Sequence, residues 1–184
     1  GFALLLSLSS VAPDLLPRVE TWKTRLMSFE SGDSEANYQV EHAMMAIHSG
    51  GLFPTGPGTG DSRNYLPHPY SDMIYAFIIE EYGAIIGGFG MLLLYLIFLY
   101  RSIKVSNACK RDFGTLLVIG LSFLLAFQAF INMGVAVSLL PVTGQPLPLV
   151  SMGGTSIWFT CLAVGIILSV SRNSENEKLE VTHG

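Results

Sequence analysis

The stretch GPGTGDSRNYLPHPYSDMIYAFIIEEYG, residues 56–83, changes from irregular chain to apolar helix. Three glycines within its first five residues, followed by two prolines, exclude regular structure in the first half. The pattern predicts a helix from Ser71, with Asp72 in its first turn and with Glu80 and Glu81 about two turns further on. A carboxylate at or below a membrane surface is costly, so each acid needs a partner, a cavity or a chemical role.

The composition is that of an integral membrane protein. Half of the 184 residues are hydrophobic and only 13% are charged, and the mean hydropathy is +0.48. Too few charges remain to cover a soluble globule, and the apolar residues form long runs. The net charge of −4 and the lack of a basic cluster argue against a nucleic-acid partner. Cys109 and Cys161 stand in unrelated settings and are predicted to be free thiols.

The apolar runs predict an all-α, polytopic helical bundle over residues 1–172, with a large outer loop over 13–71. The predicted segments are a truncated helix at 1–12, membrane helices at about 73–100, 113–140 and 155–171, and a disordered polar tail at 173–184. A short amphipathic helix is expected within the outer loop from about Tyr38, ended by Gly50 and Gly51. Because the chain opens on an uncharged stretch too short to span a bilayer, we expect it to be the C-terminal part of a larger protein.

Loop charges predict the orientation. The link between the first two full spans and the start of the tail are basic, so both are expected in the cytoplasm; the residues are Arg101, Lys104, Lys110, Arg111 and Arg172. The outer side then holds the 13–71 loop and the segment LPVTGQPLPLVSMGGTS at 140–156. Its prolines and glycines exclude a continuous helix, and irregular backbone at membrane depth must be buried in protein or line a cavity.

Asp72 admits two interpretations on sequence alone. An acid at a helix N-terminus serves as a cap, and it can equally serve catalysis or ligand binding. One of Glu80 and Glu81 is expected to face the same cavity. Gln128 and Asn132, four residues apart on one helical face, are predicted to hold helices together. The histidines do not share a helical face, so no histidine metal site is predicted.

Three stretches resemble successive signatures of the FtsW/RodA/SpoVE (SEDS) family: YQVEHAMMAIHSGGLFPTGPGTGDS, LPHPYSDMIYAFIIEEYG and QAFINMGVAVSLLPVTGQPLPLVSMGGTS. The resemblance runs from about Arg25 to Arg172, and its wording is more similar to FtsW than to RodA. It implies the last four helices of a ten-helix membrane protein. It also places the family's essential aspartate on Asp72.

The resemblance implies a peptidoglycan glycosyltransferase that polymerises lipid II during bacterial cell division. Asp72 would act as general base or would hold a divalent cation, Mg²⁺ or Mn²⁺; no other cofactor is expected. Substrate contacts are expected at Ser62, Arg63, Glu80, Ser151, Gly153 and Gly154. The implied partners are lipid II, a class B penicillin-binding protein transpeptidase and other divisome proteins. The implied location is the bacterial cytoplasmic membrane at the division septum, with the active face outside.

The chain departs from the family pattern near Asp72. His68 stands where the family has a glutamate, and the loop is shorter and lacks a lysine, for which Arg63 is the candidate replacement. Met152 and Thr155 replace a tyrosine and a serine. Two other functions stay open at this point, a lipid II flippase and a noncatalytic divisome scaffold. An acid near the outer mouth rather than at mid-membrane favours the enzyme.

Overall fold

A computed structural model describes residues 35–54, 56–58, 60 and 72–183 of the chain. The predicted helix at 1–12, most of the outer loop, Ser62 and Arg63 lie outside the described residues. The described part is helical and, within these residues, contains no strand. Its elements are α1 (Glu35–Gly50), α2 (Ile74–Tyr82), a π-helical segment (Gly83–Phe89), α3 (Gly90–Ala108), α4 (Asp112–Ala136) and α5 (Gly154–His183).

Helix α1 confirms the amphipathic helix predicted within the outer loop. It ends at Gly50, as predicted, and Gly51 follows with φ +61°. Ala43 and Ala46 are fully buried, whereas Met44 is exposed. Helix α1 packs against α2 at its glycine end, because a Cβ on Gly50 would overlap the main-chain oxygen of Ile79. The helix therefore packs on the bundle.

The chain folds back on itself at Gly83, which the sequence analysis did not predict. The Tyr75 hydroxyl donates to the Gly88 carbonyl over 3.0 Å, although the two residues are 13 apart in sequence. A Cβ on Gly88 would lie 3.4 Å from Ile79. In a straight helix such residues would lie roughly 13 Å or more apart along the axis. Helix α2 and the start of the following span therefore form an antiparallel hairpin, with Gly83 at φ +76° and ψ 164° as its turn.

Three described stretches are long and apolar enough to cross a membrane: Ile74–Ala108, Asp112–Ala136 and Gly154–Ser174. The number of complete spans agrees with the prediction, but the first is not the straight helix expected over 73–100. Beyond the hairpin turn, residues 84–108 still extend roughly 35 Å, enough for a ~30 Å hydrocarbon core. The π-helical geometry of Gly83–Phe89 is also new, and such segments concentrate at functional sites.

Helix α4 ends four residues before the predicted end of its span. The Ser138 amide donates to the Val135 carbonyl over 3.0 Å, and the Leu139 amide donates to the Gly134 carbonyl over 2.8 Å. With Ser138 at φ +59°, this is a Schellman cap in which serine occupies the position that glycine usually fills. The chain then becomes irregular until α5 begins at Gly154, as the prolines and glycines predict.

Helices α3 and α4 form a second antiparallel hairpin with a turn at residues 109–111. The hydroxyls of Ser106 and Thr115 each donate to the other residue's main-chain oxygen over 3.4 Å. The basic link predicted at 101–112 is therefore mostly helix. Helix α5 contacts α3 and α4 and continues to His183, where the sequence predicts a disordered tail. The difference has a local reason, since Glu and Lys in that tail are good helix formers.

Candidate functional site

Asp72 lies just before α2 rather than in its first turn. The helix begins at Ile74 with Met73 as N-cap, and no acidic residue stands in its first turn. The interpretation of Asp72 as a first-turn acid is therefore wrong. Because Tyr75 pairs with Gly88 across the Gly83 hairpin, Asp72 stands beside about residue 91 of α3. That is roughly 10 Å along α3 from the turn. Asp72 therefore lies deeper than the outer mouth at which the sequence analysis expected it.

The irregular segment after α4 meets Asp72. A Cβ on Gly144 would lie 3.5 Å from Asp72 Oδ2, so the carboxylate lies beside the Gly144 main chain. Gly144 has φ +68°, a conformation that favours glycine. Beside it, the Asn132 side-chain amide donates to the main-chain oxygens of Asp72 and Gln145, each over 2.7 Å. Two stretches that the sequence singled out separately therefore form one site.

Polar side chains from α3 and α4 support the broken backbone of this segment. Gln128 Nε2 donates to the Pro146 carbonyl over 3.1 Å, and the Tyr95 hydroxyl donates to the Pro148 carbonyl. Pro148 is buried and Pro146 partly so, which agrees with the prediction that neither faces lipid. Gln128 and Asn132 thus bind a loop and a helix start, not another helix as predicted. The residue types were identified from sequence, but their partners were not.

The turn after Pro148 uses the hydroxyl that was predicted to contact substrate. Ser151 is 2% exposed, and its Oγ accepts a hydrogen bond from the Leu147 amide over 2.7 Å. Leu149 takes φ +66° at the centre of this turn. Ser151 therefore stabilises this turn, and its contact with substrate stays a prediction. Gly153 donates its amide to the Ser151 carbonyl, and Gly154 opens α5 with no atom within 4 Å of a Cβ built on it; their contacts with substrate stay predictions.

Glu80 does not join Asp72. It is 4% exposed, and its Oε1 accepts a hydrogen bond from Ser49 Oγ of α1 over 3.2 Å. A Cβ on Gly60 would lie 2.8 Å from its carboxylate, so the glycine-rich loop covers it. Glu80 stands near the end of α2, whereas Asp72 precedes the start of that helix. Glu80 therefore links α1, α2 and the loop, and its predicted contact with substrate has no support in this arrangement.

The described residues hold no group of three or more His, Cys, Asp or Glu side chains that could bind a metal ion. Asp72 by itself offers one carboxylate. This fits only a cation such as Mg²⁺ that is held by one carboxylate together with substrate phosphates.

Sequence comparison decides the family. Residues 2–176 match the sequence profile of the FtsW/RodA/SpoVE family, which is described as cell cycle protein. The chain belongs to this family. The family resemblance predicted from the three signatures is therefore confirmed, and the all-α membrane fold agrees with it.

Two curated relatives illustrate the match. Stage V sporulation protein E of Bacillus subtilis (strain 168) is 40% identical, over 76% of this chain and 38% of the relative. The probable peptidoglycan glycosyltransferase FtsW of Thioalkalivibrio sulfidiphilus (strain HL-EbGR7) is 36% identical, over 94% of this chain and 45% of the relative. The chain thus spans less than half the length of these relatives. The name of the second relative agrees with the FtsW-like wording of the signatures.

A solved structure supports the fold of this SEDS chain. The chain is similar, with a TM-score of 0.64 and 25% identity, to a chain in a study of how a peptidoglycan synthase complex coordinates polymerization and crosslinking. The match covers 94% of this chain and 49% of the solved one. The solved chain is therefore about twice as long as the part of it that this chain matches.

Proposed function

We propose that this chain carries the acid–base centre of a peptidoglycan glycosyltransferase that polymerises lipid II, with Asp72 as general base. The observation that carries the proposal is the placement of the Asp72 carboxylate against Gly144, inside an apolar bundle and roughly 10 Å from its Gly83 end. A substrate with a lipid tail and a polar sugar head needs a polar group at that depth. The names of the FtsW relative and of the synthase complex support the choice of reaction.

The proposed step needs one base. Asp72 takes the proton from the 4-hydroxyl of the acceptor GlcNAc as that oxygen attacks the anomeric carbon of the lipid-linked MurNAc. The new C–O bond forms while the bond from the anomeric carbon to the phosphate oxygen breaks, and the undecaprenyl pyrophosphate leaves with the electron pair. An ionised pyrophosphate leaves without being protonated by the protein. If a divalent cation is bound, Asp72 would hold it against that pyrophosphate and it would neutralise the leaving group's charge.

The position of Glu80 supports transfer over hydrolysis. Glycoside hydrolases use two carboxylates that flank one bond, about 5 to 9.5 Å apart. Glu80 is instead buried against Ser49 of α1 and beside Gly60 of the glycine-rich loop, so it is not placed as a second acid for the same bond. A mechanism that uses the Asp72 carboxylate alone fits a reaction whose leaving group needs no acid.

The proposal extends to place and partners. The basic residues at the 109–111 turn support a cytoplasmic position for that end of the helices and an outer position for the opposite end. The membrane would be the bacterial cytoplasmic membrane at the division septum. The partner would be a class B penicillin-binding protein that cross-links the new strand, together with other divisome proteins. The similarity to a complex that couples polymerization and crosslinking supports this partner.

Asp72→Asn tests the function. The substitution keeps the size of the side chain and removes its charge and basic oxygen. The full-length protein is purified together with its partner and is given labelled lipid II. We expect glycan formation to fall at least ~100-fold, with unchanged yield of folded protein. Glu81→Gln, which removes an acid near the Gly83 turn, is the matched control and should retain polymerisation.

Three outcomes separate the candidate functions. Polymer formed by the wild type and lost in Asp72→Asn supports the proposal. Lipid II moved across proteoliposomes without polymer would replace it with a flippase. Neither product, with the complex intact, would replace it with a scaffold.

A further inference from the structure

Asn132 connects the two segments that form the site. It lies near the end of α4, and 1% of its surface is exposed. Its single NH₂ group donates to the main-chain oxygen of Asp72 and to that of Gln145, over 2.7 Å in both cases. One side chain therefore ties the residue that carries the carboxylate to the segment beside which the carboxylate lies.

The chemistry of the two partners determines which end of the amide is used. Both are carbonyl oxygens, which only accept hydrogen bonds, so the NH₂ group must face them. Asn132 Oδ1 accepts no hydrogen bond from any residue that the structure describes, although it is buried. Buried polar atoms are rarely left in this state. The side chain is therefore placed for its two donors, even though its acceptor is left unsatisfied by the described residues.

The local backbone shows what the Asn132 link constrains. Asp72 precedes the N-cap of α2, and the bond from Asn132 ties its main-chain oxygen to α4. Gly144, whose positive φ shapes the neighbouring turn, precedes Gln145 directly. A shift of either partner relative to Asn132 would change the distance between the Asp72 carboxylate and this turn. Displacements of ~1 Å cost about 100-fold in rate at catalytic centres.

Gln128 provides an internal comparison one turn earlier on α4. Its amide donates to the Pro146 carbonyl over 3.1 Å, so it holds the same irregular segment. Its hydrogen bond to that segment does not involve Asp72. The two side chains share a helix, an amide group and a loop partner, and they differ in the contact with Asp72.

We propose that Asn132 is a positioning residue that sets the distance between the Asp72 carboxylate and the Gly144 turn. This inference rests on the proposed function, in which Asp72 is the general base. Asn132 acts through Asp72 and does not touch the reacting atoms. Its loss lowers the rate of the chemical step and leaves lipid II binding in place.

The test compares Asn132→Leu, which keeps the shape and removes both donors, with Gln128→Met as matched control. Both are made in the full-length protein with its partner, and kcat and KM for fluorescent lipid II are measured beside the yield of folded protein. We expect Asn132→Leu to lower kcat by about 100-fold with KM unchanged. Gln128→Met should keep kcat near that of the wild type. Asn132→Ser, whose hydroxyl can donate one hydrogen bond, should have a kcat between those of the wild type and Asn132→Leu.

A double substitution distinguishes a positioning role of Asn132 from a purely structural one. In an Asp72→Asn background, Asn132→Leu should add little further loss, because residues that act as a unit are not additive. A folded Asn132→Leu with wild-type kcat, a loss matched by Gln128→Met, or a fully additive loss would overturn the inference. Failure of both Asn132 variants to fold beside a folded Gln128→Met would overturn it too, by assigning Asn132 to fold stability. Normal polymerisation by the single variant Asp72→Asn would instead refute the proposed function, in which Asp72 is the general base.

Discussion

Replacing Gly83 with alanine tests the hairpin that places Asp72 inside the bundle. Gly83 has φ +76° and ψ 164°, a backbone region almost restricted to glycine. A Cβ there would lie 2.7 Å from the main-chain carbon of Phe53 and 2.8 Å from the main-chain oxygen of Leu52. Both neighbours are backbone atoms, so they cannot move away by a rotamer change. The loop is also hydrogen bonded there, since the Ala84 amide donates to the Gly51 carbonyl over 3.0 Å.

The expected cost has two parts. An alanine in this backbone conformation loses about 1–3 kcal/mol of stability. Its Cβ would also overlap the loop, and overpacking of this kind costs a similar amount. Because the neighbouring loop can relax in part, we expect Gly83→Ala to lower the free energy of unfolding by roughly 2 to 4 kcal/mol. A straight span through residue 83 predicts the opposite sign, because Gly→Ala inside a helix stabilises by about 1 kcal/mol.

The assay is SDS titration of the purified protein in mixed micelles, which reports the free energy of unfolding. Gly90→Ala is the matched control, because Gly90 has helical φ −61° and the nearest atom to a Cβ there is Ile85 O at 3.9 Å. We expect Gly90→Ala to be neutral or stabilising. If Gly83→Ala were as stable as Gly90→Ala, the hairpin, and with it the depth assigned to Asp72, would be refuted.

Three further predictions follow from the same arrangement. Tyr95→Phe leaves the buried Pro148 carbonyl without its hydroxyl donor and should lower the free energy of unfolding by about 1–3 kcal/mol in the same titration. Tyr100→Phe, at an exposed side chain, should leave that free energy unchanged. Equal effects of the two substitutions would contradict the assigned hydrogen bond. In a cysteine-free background, Pro57→Cys should react with an impermeant maleimide added to intact cells and Lys110→Cys should not, whereas the reverse pattern would invert the topology. A class B penicillin-binding protein should co-purify with the full-length protein in mild detergent, and its consistent absence would count against the proposed complex.

The sequence alone determined the kind of protein and some of the points where its regular structure stops. Long apolar runs predicted three complete spans, because only helices satisfy the backbone within lipid without partners. The glycine pair after α1 marked its end, and the prolines after α4 marked the irregular segment. The same patterns led to the family through motifs that keep their order and spacing.

Only the tertiary structure decided where the site lies. A glycine in an apolar run reads the same in a straight span and in a hairpin, so the turn at Gly83 depended on its contacts with the loop before α2. The cap at Ser138 was hidden for a similar reason, since its signal is a backbone conformation and not a residue type. Asn132 could be placed on a face of α4, but its bonds to Asp72 and Gln145 join residues 60 and 13 positions away. Periodicity reports which face of an element is buried, whereas contacts between distant segments arise only when the whole chain is packed.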